Sequence, residues 1–70
     1  MNEFEKELER AESLFPPFNS AHEGIAVIRE EYLELEKEVF WGDVKKMREE
    51  AIQLGAMAMR MVKFLDKIGD

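Results

Sequence analysis

Two interruptions, Pro16-Pro17 and Gly42-Asp43, divide a chain whose apolar residues otherwise recur at spacings of three and four. That rhythm places side chains on one face of an α-helix and is incompatible with the period of two that a strand needs. Three helices are therefore expected. Asn2 followed three residues later by Glu5 reads as a capped start, and the diproline ends that helix by driving the preceding residue out of the α region. Phe4, Leu8, Ala11 and Phe15 make its apolar face. Phe18-Asn19 is a connector, and Ser20-Ala21-His22-Glu23 reads as a capping box, with Ser20 as N-cap and Glu23 reaching back to its amide.

The second helix is expected from about Ala21 to about Trp41, ending at Gly42, with Ile25, Ile28, Tyr32, Leu35 and Val39 as its stripe. Asp43 caps a third helix carrying Val44, Met47, Ala51, Leu54, Ala58, Met61, Leu65 and Ile68. Such spacing suits helices packed side by side at small angles. The expected fold is all-α: a single domain over 1–70, with one short N-terminal helix and two long antiparallel helices, completed into a helical bundle by oligomerisation.

The need for a partner follows from size. A chain of 70 residues buries a modest share of its surface, and small scaffolds usually add disulfides, a structural metal or a second subunit. Cysteine is absent and His22 is the one histidine, which removes disulfides and thiolate or imidazole zinc sites. Leu54-Gly55-Ala56-Met57-Ala58-Met59 is apolar nearly all round, more than two neighbouring helices can cover. A homodimer or homotetramer is expected, with Leu54, Ala58 and Met61 in its interface. Gly55 is costly inside a helix and hints at a close approach.

Ten basic residues against 16 acidic ones give a net charge of −6, which repels a nucleic acid polymer. The N-terminal residues are too acidic for a signal peptide, and the uncharged run from Ala51 to Met59 is too short to span a bilayer. No membrane partner and a cytoplasmic location are expected. A phosphate-bearing small molecule is compatible with this charge only if a divalent cation bridges it to the carboxylates.

Acidic helix residues ordinarily form a solvated face. Here Glu31, Glu34 and Glu38 flank the apolar stripe, where a solvated face would lie opposite it. Glu31 and Glu34, three residues apart, have Cβ atoms about 5–6 Å from each other and repel unless a cation sits between them. Mg²⁺ takes carboxylate oxygens together with waters and phosphates. On the third helix Glu50 also borders the stripe, with Gln53 one turn on, and antiparallel packing can bring Glu50 to Glu31 and Glu34.

Glu30-Glu31-Tyr32-Leu33-Glu34 and Glu50-Ala51-Ile52-Gln53 resemble the paired motifs, E-E-x-x-E and E-x-x-D, of the MazG-like all-α nucleoside-triphosphate pyrophosphohydrolases. The flanking Ser20–Gly24 and Ala51–Arg60 segments resemble small phage-type members, so the likeness covers roughly 18–66. It implies Mg²⁺ held by Glu31, Glu34, Glu50 and Gln53, and hydrolysis of a nucleoside triphosphate to the monophosphate and pyrophosphate. In such a site Mg²⁺ neutralises and orients the phosphates and lowers the pKa of a bound water. Glu38, one turn beyond Glu34, is the candidate catalytic residue that orients this water. Gln53 stands where the family has aspartate; its amide oxygen can coordinate a cation but adds no charge, so weaker affinity is expected. The alternative is a non-catalytic helical dimerisation or interaction module, a degenerate relative of that family.

Arg60, Lys63 and Lys46 are candidates for touching phosphates, or else surface charges paired with nearby acids. Phe15, Phe18, Phe40 and Trp41 fall at helix ends, where they can cap a core; Phe18 or Trp41 can alternatively stack on a base. No Ser/His/Asp set or glycine-rich phosphate loop is present.

Overall fold

Each helix begins at a residue whose side chain satisfies amides that the helix itself leaves unpaired. In the computed structural model, which describes residues 1–69, α1 spans Glu3–Leu14, α2 Ala21–Trp41 and α3 Val44–Ile68. Asp70, the last residue of the expected domain, lies outside the described residues. No strand occurs among the described residues, so the fold is all-α as expected. Asn2 Oδ1 accepts from the Glu5 amide at 2.8 Å, and Glu5 Oε1 accepts from the Asn2 amide at 3.1 Å, a complete capping box. The box expected at Ser20 is half formed. Its hydroxyl accepts from the Glu23 amide at 3.1 Å, but Glu23 turns to Asn19, whose side-chain amide donates to it at 3.0 Å. Asp43 caps α3 by accepting from the Lys46 amide. Gly42 ends α2 with φ +80, a left-handed conformation that glycine adopts without steric cost.

α3 is the spine: α1 and α2 each pack on it. Ala11 and Ala56, both fully buried, let α1 and α3 approach closely, and Met57 fills the junction with Leu8, Val27 and Ile28 around it. A Cβ on Gly55 would stand 2.5 Å from the half-exposed Phe4 ring. Ion pairs Glu3–Arg48 and Glu12–Lys63 flank the α1–α3 contact; both are exposed, and such pairs contribute little.

α2 docks in a rotated orientation. The expected stripe included Ile25, Tyr32 and Val39, yet all three are about half exposed. The less exposed positions are Gly24, Val27, Ile28, Glu31, Leu35 and Glu38. At about 100° per residue, the docking face has turned by roughly 70° toward the glutamates. The close fit of Gly24 explains the turn: a Cβ there would lie 2.5 Å from Met61 Sδ and 3.2 Å from the Phe18 ring.

The all-round apolar stretch of α3 is covered partly from within the chain. Gly55 lies under Phe4, and Ala56 and Met57 are buried, whereas Ala58 is exposed and Leu54 and Met61 are half-buried. Among the described residues, no helix is long and apolar enough to cross a membrane.

Candidate functional site

Antiparallel packing sets the register of the α2–α3 seam. Gly24 meets Met61, and seven residues further along α2 Glu31 meets Gln53. Glu34 then falls level with Glu50. The rotation of α2 brings the acids into the seam itself: Glu31, Glu38 and Glu50 are half-buried, while Glu34 remains exposed.

Gln53 lies between the two helices' acids. With its nitrogen turned toward them, its amide would donate to Glu31 Oε2 at 3.1 Å and to Glu50 Oε2 at 3.3 Å. Burial pushes the Glu31 carboxyl above its ordinary range, and the charges of Glu50, Glu34, Glu30 and Glu7 push it further. Glu50 is raised for the same reasons, by burial first and then by Glu34, Glu38 and Glu49. Glu31, Glu34, Glu38 and Glu50 thus share one field of like charge. The guanidinium of Arg10 feels Glu31 at longer range, but its hydrogen bonds go to Glu7.

The side chains do not close around a point. Among the described residues, no three Asp, Glu, His or Cys groups are gathered tightly enough to hold a metal ion. Glu34 is exposed and has room to swing toward Glu31 and Glu50. The donor chemistry nevertheless fits Mg²⁺. Carboxylate and amide oxygens are hard ligands, and the Gln53 amide can turn either its oxygen or its nitrogen toward the acids.

A cavity of about 280 Å³ opens beside the seam, lined by Glu31 and Gln53 together with Arg10, Phe15, Phe18 and Arg60. Of the aromatic residues at helix ends, Phe15 and Phe18 face this region. Phe40 and Trp41 instead pack edge-on against each other, both strongly exposed. Lys63 is held by Glu12 at 2.6 Å, and Lys46 is exposed.

Arg60 is the residue that sequence reasoning misjudged. It is 8% exposed, lies 4.3 Å over the Phe18 ring, and donates to the Pro16 carbonyl at 3.0 Å. The signal was its spacing: Gln53, Met57, Arg60 and Phe64 fall at intervals of four, three and four on the inner face of α3.

Compared with protein-family models, curated proteins and solved structures, the chain has no match. The MazG-like reading therefore rests on the motif residues and on the seam they occupy.

Proposed function

We propose that this chain is a Mg²⁺-dependent nucleoside-triphosphate pyrophosphohydrolase, converting an NTP or dNTP to the monophosphate and pyrophosphate. In this reading it works in the cytoplasm as a homodimer or homotetramer. The supporting observation is the seam between α2 and α3, where Glu31 and Glu50 are half-buried in a field of like charge with Gln53 between them. Folding that forces carboxylates together at a helix junction is unfavourable unless a cation relieves it. Glu31, Glu34, Glu50 and Gln53 would hold that cation, and Mg²⁺ when bound would supply charge neutralisation and Lewis acidity toward phosphate oxygens. Glu38, on the same face of α2, accepts a hydrogen bond from the attacking water and aligns it. Water adds at phosphorus, the phosphoanhydride bond to the pyrophosphate group breaks, and the water's proton passes to the solvent-connected carboxylates.

The reading also includes assembly. Ile25, Tyr32 and Val39 of α2 and Ala58, Val62 and Leu65 of α3 are exposed, an apolar face large for a chain of 70 residues. A second copy would cover it.

A second reading is favoured by one specific observation. The seam acids are not gathered to ion-binding distance, and Gln53 can satisfy two of them by hydrogen bonds when its nitrogen faces them. On that reading the chain is a helical interaction module that keeps the paired helices without the chemistry. Pyrophosphate release across a panel of ribo- and deoxyribonucleoside triphosphates separates the two. Equimolar monophosphate and pyrophosphate, lost in Glu34→Gln, supports the enzyme; no release from any triphosphate by the correctly assembled protein supports the module.

A further inference from the structure

A second cavity, of about 530 Å³, lies where the α1–α2 connector meets the C-terminal half of α3. Three aromatic rings, Phe15, Phe18 and Phe64, share its wall with three cations, Arg60, Lys63 and Lys67. Glu12 and Asp66 stand against them, and Glu12 is engaged with Lys63. In a chain with a net charge of −6, a pocket with more cationic than anionic lining runs against the composition.

Arg60 makes the pocket more than a surface dent. Its side chain is buried, yet among the described residues it forms no ion pair with a carboxylate. Its bonds go to the Pro16 carbonyl and, at 3.3 Å, to Met57 Sδ. A guanidinium carries five N–H donors, so these two contacts leave donors to spare. A buried charge with no counter-charge is costly, and an entering anion relieves that cost. The guanidinium is also fixed in place: it lies over Phe18, which meets Phe64 edge-on with ring centroids 6.4 Å apart. Little side-chain freedom then remains to be lost on binding. Cavities of this size match small organic ligands in which apolar walls bury a ring and a few polar groups fix its orientation.

We propose that this cavity binds a small aromatic anion, a planar ring carrying a carboxylate or phosphate, with the ring among Phe15, Phe18 and Phe64 and the anionic group on Arg60 and Lys67. Glu12 competes with the ligand for Lys63. The cavity shares Phe15, Phe18 and Arg60 with the smaller one beside the seam, but no seam carboxylate lines it, so its binding does not require the metal or hydrolysis.

Titration of the whole chain with benzoate, phenyl phosphate and inorganic phosphate, followed by amide chemical shifts, tests this. Saturable shifts at Lys63, Phe64 and Lys67 are expected for both aryl anions, with inorganic phosphate at least about tenfold weaker for want of a ring. Magnesium or its chelation should change neither affinity. Lys67→Glu, at an exposed position, should weaken binding severalfold, and Glu12→Gln should tighten it by freeing Lys63. That tightening distinguishes a binding role for the cations from a purely structural one for Arg60. Absence of saturable shifts at millimolar ligand overturns the proposal. So do shifts confined to Glu31 and Gln53, or binding indifferent to both Lys67→Glu and Glu12→Gln.

Discussion

At Glu50, ionisation is opposed by burial and by the charges of Glu34, Glu38 and Glu49, and at Glu31 by the same kind of environment. A carboxyl whose folded pKa is raised binds its proton more tightly in the native state. Stability from these two groups is therefore gained as pH falls from neutral through the raised values, and levels off below the ordinary value of 4.5. Glu3 acts oppositely: Arg48 lowers its carboxyl, so stability is lost as pH drops below that ordinary value. Thermal melts in chelator should rise as pH falls through the raised values toward 4.5, and Glu50→Gln should flatten that rise. At neutral pH the substitution should stabilise by only about a few tenths of a kcal/mol, because solvent reaches the half-buried group and screens its neighbours. The two helical glycines make a contrasting pair. At Gly24 a methyl meets Met61 and Phe18, at Gly55 the half-exposed Phe4 ring, which can move outward. Overpacking costs about 1–3 kcal/mol, against about 1 kcal/mol recovered by removing a helical glycine. Denaturant melts should show Gly24→Ala losing up to about 2 kcal/mol and Gly55→Ala near neutral.

Element boundaries were legible because they are fixed by local chemistry. Asn2, Ser20 and Asp43 cap, Pro16-Pro17 and Gly42 terminate, and no distant contact is needed to place them. Ser20→Ala should cost about 0.5–2 kcal/mol in a denaturant melt, even with half of the expected box missing. The rotation of α2 was not legible, since periodicity gives an apolar stripe but not which edge of it docks. That depends on Gly24 admitting Met61, a contact between residues 37 apart in the chain. The rotation also explains why the glutamates sit within the seam and Ile25, Tyr32 and Val39 outside it. Arg60 was hidden by its charge: its spacing pointed inward, but arginine is seldom buried without an acid beside it. A meeting of Glu31 and Glu34 with Glu50 was foreseeable from antiparallel packing; the placement of the Gln53 amide against Glu31 and Glu50 was not.

Taken whole, the molecule buries few large side chains: its core centres on Ala11, Ala56 and Met57, and Val44, Val62 and Ile68 remain exposed. In the proposed assembly a second copy covers such side chains. Ala58→Glu would place a charge on exposed α3 surface and, in that assembly, bury it unpaired. Sedimentation should show the wild type as a dimer or tetramer at micromolar concentration and the variant as a smaller or unfolded species. A wild-type monomer that melts cooperatively would remove assembly from the account.

The central claim is that the α2–α3 seam is a cation site weakened by Gln53, and calorimetric titration with Mg²⁺ of the wild type beside Gln53→Asp addresses it most directly. The new carboxylate adds a charged ligand and removes the amide that could donate to Glu31 and Glu50. The account predicts weak saturable binding in the wild type and binding tighter by about 1–3 kcal/mol in the variant, the scale of a charge-assisted contact. Equal heats from both proteins, or no saturable binding by either, would contradict it.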